Sequence, residues 1–360
     1  MISRIPSVGV VVDDLGHGGA QKQLVLLARA LRPHVDVHVY VLSSIEEPHG
    51  RTLRARGISV TVFPRRSGFD VVRLRALVRA LADDRVDVVH GFLDASCVYA
   101  YLAARRIRKP VVMSLQSDRF TMPGTRARVL GWMHRKAEAV VVNSIAGRDF
   151  LIDRVGVQRE RVYVVRNIAE VPEVATTPDH TSSPIVGCVG RLVALKRFDL
   201  AVQALPRVRA AVPGARLELV GEGPVGGELR ALCERLGVAD AVDFIGAVDD
   251  ATVRIARMSC LALPSAFEGL PNAALEAMAC GVPVVASAVG DVASIVIDGS
   301  TGVVVRDTTS ESLAAGIIRA LTDPALRARA LAEGPRTIRM HFNADEPVAV
   351  LRSLYERLRA

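Results

Sequence analysis

Short apolar runs rich in β-branched residues recur along the chain, and between them lie stretches whose apolar positions return every three to four residues. The runs at 8–12, 35–42, 59–63, 86–90, 111–114, 139–143 and 162–165 predict strands, and the stretches at 20–31, 69–82, 95–105, 125–136 and 144–154 predict helices. The strand runs are almost continuously apolar, the pattern of a parallel sheet covered on both faces. The pattern lapses at "NIAEVPEVATTPDHTSSP", where Pro, Thr and Ser accumulate without period, and this predicts a linker. Alternation then resumes with strands at 185–189, 217–220, 242–245, 260–263 and 284–286, helices at 198–211, 227–236, 251–258 and 272–279, and a last helix over 346–359. The expectation is an α/β protein of two doubly wound domains with a cleft between them, spanning 1–167 and 185–345, joined by a linker at 168–184 and closed by a helix at 346–360. Open parallel sheets bind ligands beyond the carboxyl ends of their strands, so the loops after strands are where chemistry is expected.

The 360 residues give room for two domains, and 50% apolar with 23% charged residues is a globular composition. No apolar run reaches the roughly 18 to 20 residues of a membrane span. The apolar core of "MISRIPSVGVVVDDLG" is short and ends at Asp13 and Asp14, unlike a signal peptide. The five cysteines are scattered without a CxxC pair and read as reduced core residues of a cytoplasmic protein. The net charge of +8 is unevenly spread: residues 1–167 carry 27 Lys and Arg against 15 Asp and Glu, residues 168–360 carry 19 against 23. Either the first half meets an anionic partner, or the chain is simply Arg-rich with a solvated surface. Aromatic residues are only 4% and no nucleic-acid module is present, which argues against a nucleic-acid partner.

Five post-strand loops carry candidate chemistry. In "PSAFEGLPNAALEAMACGVPVVAS", Glu268 falls in the loop and Glu276 about one turn into the helix that Asn272 is expected to cap. Two acids at a helix amino end, where free amides favour anions, fit a ligand with both phosphates and hydroxyls, as a nucleotide-sugar has. Read blandly, they are a solvated loop acid and a first-turn acid that suits the helix dipole. In "GRLVALKR", Arg191 and Lys196 can neutralise a diphosphate. In "DDLGHGGAQKQ", Gly16, Gly18 and Gly19 allow close backbone approach, although Gln21 stands where a GxGxxG register needs glycine; Asp36 lies near the place of a ribose-binding acid. In "VDVVHGFLDAS", His90 closes a strand and is expected to face the cleft. The glycine-rich "LVGEGPVG" follows another strand.

Together these stretches resemble the retaining glycosyltransferases of family 4. "FEGLPNAALEAMACGVPVVAS" is similar to that family's paired-glutamate signature, and "VGRLVALK", "LVGEGP", "DFIGAV" and the early "GGAQ" follow its order and spacing. The resemblance implies the GT-B fold: two Rossmann-like domains, the first for the acceptor and the second for the nucleotide-sugar, with the C-terminal helix packing back on the first. It implies that Arg191 and Lys196 hold the donor diphosphate, and that Glu276 takes the ribose hydroxyls. Glu268, with the amides of Gly269 and Leu270, would engage the transferred sugar. Gly18 and Gly19 would approach the diphosphate, and His90 would sit near the sugar. The implied reaction moves a hexose to a glycan or lipid-linked acceptor with retention, the departing diphosphate serving as base, in cell-surface polysaccharide or glycolipid synthesis. No DxD motif is present, so no metal and no further cofactor is expected. The family's second glycine and later glutamate after "ASAVG" are replaced by Asp291 and Ser294. Two rivals stay open: a sugar-nucleotide epimerase of the same fold, and a non-catalytic nucleotide-sugar-binding subunit of a synthase complex.

The basic first half offers a seat on an anionic membrane. Arg126, Arg128, Arg135 and Lys136 lie among Leu130, Trp132 and Met133, and Arg73, Arg75 and Arg79 add to them. Peripheral association with the inner face of the cell membrane is the expectation, with a soluble acidic polysaccharide as the rival partner.

Overall fold

The computed structural model describes residues 5–64, 70–116, 125–172 and 183–359, and of residue 126 the backbone only. Most of the predicted linker, 173–182, lies outside them, as do 117–124 and the side chain of Arg126 from the basic stretch. The chain divides into two compact units, Met1–Ile168 with Ala344–Ala360, and Ala169–Asn343.

In the first unit seven strands run parallel: β1 Ser7–Val12, β2 Asp36–Val41, β3 Ser59–Val62, β4 Val88–Gly91, β5 Val111–Leu115, β6 Ala139–Val142 and β7 Val162–Val164. Their order is β3-β2-β1-β4-β5-β6-β7, so the winding reverses between β1 and β4, where Val10 faces both Val39 and His90. Every residue of β1 is buried because side chains of alternate parity feed two different cores. Val8, Val10 and Val12 meet Leu24, Leu27 and Leu31 of helix Gly19–Leu31, whereas Val11 meets Tyr40, Leu77 and Leu81 on the other face. Each such side chain contributes roughly 1.5–3 kcal/mol by leaving water. Gly9 is needed for this packing, since a Cβ there would stand 2.5 Å from Leu81 Cδ2. Helix Asp345–Arg359 adds Leu351, Leu354 and Tyr355 to the first of these cores, so the chain ends by returning to the unit in which it began.

The second unit repeats the winding with six parallel strands: β8 Ile185–Val189, β9 Arg216–Val220, β10 Val242–Gly246, β11 Cys260–Leu263, β12 Val284–Ser287 and β13 Gly302–Val305, ordered β10-β9-β8-β11-β12-β13. The doubly wound expectation holds for both units. Strand β13 and helices Ser310–Thr322 and Pro324–His341 were not foreseen from the sequence. The second of these helices contains Gly334 and Pro335, which disguise its period. Gly334 is there because a Cβ would come within 2.5 Å of the Met278 carbonyl oxygen, so it lets this helix lie against the small-residue helix Asn272–Ala279.

Candidate active site

In the second unit the winding reverses between β8 and β11, and two loops leave the sheet side by side there. After β8 the backbone is pinned to its neighbours: Gly190 donates to the Val220 carbonyl at 2.9 Å and Leu192 to that of Glu222 at 2.9 Å. Gly221 and Gly223 make this interlock possible, since a Cβ on either would fall 2.1 Å from the Gly190 oxygen or 2.2 Å from the Leu192 oxygen. The loop then makes one tight turn, Ala194–Lys196, and enters helix Phe198–Ala211. After β11 the second loop is tied to the first, Ala266 N–H donating to the Leu195 carbonyl at 2.9 Å.

These constraints bring Lys196 and Glu268 together. Lys196 Nζ lies 2.6 Å from Glu268 Oε1, and Ser265 Oγ donates to the same oxygen at 2.5 Å. Glu268 is only 3% exposed and Ser265 fully buried. A buried carboxylate needs both an opposite charge and hydrogen bonds to offset lost hydration, and this one has both. The sequence reading put Lys196 on a diphosphate and Glu268 on a sugar as separate groups; the structure joins them in one ion pair. Arg191, on the same loop, is exposed, and its guanidinium has no partner among the described residues. Glu268 and Gly269 are held from above as well. Asp291 N–H donates to the Gly269 carbonyl at 3.3 Å, and Gly290, at φ 54°, sits so close that a Cβ would stand 1.7 Å from the Glu268 carbonyl oxygen. Gly269 and Leu270 are buried. The residue that precedes helix Asn272–Ala279 is Pro271, not Asn272, which is the first helical residue. Glu276 is therefore the fifth residue of that helix and half-buried. Among the described residues no group of three or more His, Cys, Asp or Glu is placed to hold a metal ion.

The first unit corrects three expectations. His90 is 2% exposed and both ring nitrogens are engaged, Nδ1 2.7 Å from the Tyr355 hydroxyl and Nε2 2.7 Å from that of Ser114. Burial pushes its pKa down to about 3, so it is a neutral core residue and not a strand-end group open to a ligand. Asp36 opens β2, at the amino end of the strand, and its carboxylate meets His38 Nε2 at 3.1 Å, so it stands away from the ligand-bearing edge. Arg73 points inward, at 7% exposure, donating to the Leu42 carbonyl and the Tyr99 hydroxyl with its guanidinium over the Tyr99 ring. Gly18 has φ 177°, an extended conformation open to any residue, and Gly19 begins helix Gly19–Leu31, whose amino end has no side-chain cap. Gly16 N–H and Gln21 Nε2 both donate to Asp14 Oδ1 at 3.0 Å, which shapes this loop.

The residues that sequence reasoning passed over are Ser265 and Asp13. A hydroxyl three positions before a loop acid, as Ser265 stands to Glu268, is a readable signal. Asp13 accepts the Ser96 amide at 2.5 Å and so ties the loop after β1 to helix Asp94–Ile107 after β4. Burial, its largest influence, lifts its pKa above the usual carboxylate range.

Comparison with known proteins identifies the family. Residues 175–336 match the family described as Glycosyl transferases group 1, and residues 17–170 match Glycosyltransferase Family 4. The chain is 33% identical over 301 residues to the D-inositol 3-phosphate glycosyltransferase of Acidothermus cellulolyticus, covering 75% of this chain and 66% of that protein. It is 30% identical over 306 residues to the protein of the same name from Salinispora arenicola, covering 75% and 68%. The chain thus spans about two thirds of the length of these relatives. Among solved structures, HepE of Anabaena, in complex with UDP and glucose, superposes with a TM-score of 0.84 at 22% identity, covering 97% of this chain and 99% of that one.

Proposed function

Because the chain belongs to the group 1 glycosyltransferases, with a family 4 first half, we propose that it moves a hexose-type sugar from a nucleotide-sugar to a glycan or lipid-linked acceptor with retention of configuration. The observation that carries this reading is the buried Lys196–Glu268–Ser265 cluster at the carboxyl edge of the second sheet, with Arg191 exposed on the same loop. Lys196 keeps donor capacity beyond its bond to Glu268, since an ammonium has three N–H groups. Lys196 and Arg191 hold the donor diphosphate and stabilise the charge that grows on it as the bond from the anomeric carbon to the leaving oxygen lengthens. They supply this charge without a metal ion. Glu268 accepts from hydroxyls of the sugar, with the backbone of Gly269 and Leu270 beside it, and Glu276 takes the ribose hydroxyls. The acceptor hydroxyl attacks the face the diphosphate leaves, and its proton passes to a diphosphate oxygen. The first unit takes the acceptor at the inner face of the membrane, in cell-surface polysaccharide or glycolipid synthesis. The UDP and glucose held by HepE, and the UDP-glucose in another structure of the same protein, make UDP-sugars the first candidates for the donor.

Calorimetric titration with a panel of UDP-, GDP- and other nucleotide-sugars tests the donor. Saturable binding of at least one is expected, and its anomeric proton in the transferred product, read by NMR, reports retention. A chain that bound none of them would overturn the proposal.

A further inference from the structure

The second unit places a fully buried polar side chain behind Glu268. Ser265 is fully buried and directs its hydroxyl at 2.5 Å to Glu268 Oε1, the oxygen that Lys196 also holds at 2.6 Å. The other oxygen, Oε2, accepts from no described residue, and it is not among the sealed, unpartnered polar atoms, which are Ser7 Oγ, Arg73 Nε and His134 Nε2. The carboxylate is therefore lopsided: one oxygen is saturated from inside the protein and the other is open. The loop backbone does not depend on Ser265, because Ala266 N–H on Leu195 and Gly290 against the Glu268 carbonyl fix it on both sides. What remains to be fixed is the rotation of the carboxylate itself.

We propose that Ser265 is a positioning residue that locks the Glu268 carboxylate with Oε2 presented to the donor sugar, and keeps it there when the Lys196 ammonium is shared with the diphosphate. This rests on the donor reading above. Lys196 is 18% exposed at its side chain and has a second anion to serve once the donor arrives, whereas the buried Ser265 hydroxyl has Glu268 as its acceptor. A hydroxyl bound to a charged acceptor in a buried site is among the stronger hydrogen bonds, enough to decide which rotamer the acid occupies.

The test compares two ligands on the whole chain. Ser265→Ala is titrated with the nucleotide-sugar that the wild type binds and with the matching nucleoside diphosphate, and kcat is measured. Affinity for the nucleoside diphosphate should stay within about twofold, while nucleotide-sugar affinity or kcat falls about tenfold or more. Ser265→Thr, which keeps the hydroxyl, should restore most of the loss. In a Glu268→Ala background, Ser265→Ala should add less than about twofold, because its effect passes through the missing acceptor. Equal loss for both ligands, an undiminished effect in the Glu268→Ala background, or wild-type behaviour of Ser265→Ala would each overturn the positioning role alone. A wild type that bound no nucleotide-sugar would overturn the donor reading, and this role with it.

Discussion

Lys196 and Arg191 share a loop and a proposed ligand, but their surroundings differ, and so should their variants. Arg191→Ala removes an exposed guanidinium that has no partner among the described residues. Its turnover should fall between about tenfold and a thousandfold, since leaving-group charge grows toward the transition state, while its unfolding temperature stays that of the wild type. Lys196→Ala should lose turnover similarly but also strand the Glu268 carboxylate, 4% exposed at its side chain, without its counter-charge. Breaking such a pair costs roughly 3 kcal/mol, which appears as a lower unfolding temperature. Differential scanning calorimetry beside steady-state kinetics separates the two; equal thermal stability of both variants would count against the paired Lys196. At this scale the sequence was legible for placement where a motif has fixed spacing, with Glu268 in the loop after β11 and Glu276 on the helix that follows. It misled where a charged or polar residue was equated with surface. Arg73 shares its helix face with Leu77 and Leu81, so helical period alone places it inside, whereas Arg75 and Arg79 are exposed.

His90, Ser114 and Tyr355 belong to β4, β5 and helix Asp345–Arg359, so one imidazole joins two strands to the helix that ends the chain. This contact was illegible in the sequence, because 265 positions separate His90 from Tyr355 and no pattern within β4 marks one face as open. The prediction from it is a pH dependence. Folding holds the ring neutral, with its pKa pushed down to about 3 by burial, against about 6.5 in the unfolded chain. Between those values the unfolded state binds the extra proton, so the contribution is complete above pH 6.5 and is lost progressively as pH falls toward 3. The loss is about 1.4 kcal/mol per pH unit within that window. His134, pushed down to about 4 chiefly by burial, acts in the same direction. Urea unfolding at pH 7.5, 6.5 and 5 should show stability falling only below 6.5, and His90→Gln should show a shallower fall than the wild type. Identical slopes would mean that the folded and unfolded chains bind the His90 proton alike, against a pKa lowered by burial. Elements at the far end of the second unit escaped sequence reading for a different reason. β13 is four residues long, and helix Pro324–His341 carries the Gly334 that its neighbour requires.

The charge imbalance of the whole molecule acquires a location in the first unit. Helices Val71–Asp83 and Thr125–Lys136 flank helix Asp94–Ile107 and contribute Leu77, Leu81 and Met133 to the same core, so they cover one face of the first sheet. Their outer sides expose Arg75, Arg79, Arg128, Arg135 and Lys136 together with Val71, Val72, Val129 and Trp132, the last 47% exposed with its ring edge-on to Tyr101. Among the described residues no helix is long and apolar enough to cross a membrane. Each cation near an anionic leaflet contributes about 1 kcal/mol, and a partly inserted indole adds an apolar anchor. The electrostatic part is screened as the Debye length shrinks from about 10 Å at 0.1 M salt to about 3 Å at 1 M. The chain should therefore float with phosphatidylserine vesicles at low salt, release at high salt, and ignore neutral phosphatidylcholine vesicles. Trp132→Ser should weaken flotation without changing its salt dependence, because it removes the apolar anchor and leaves the cations. A chain that stayed at the bottom of the gradient at low salt would send the acceptor search to soluble acidic polysaccharides, for which the same basic face offers the same charge but no use for an exposed tryptophan.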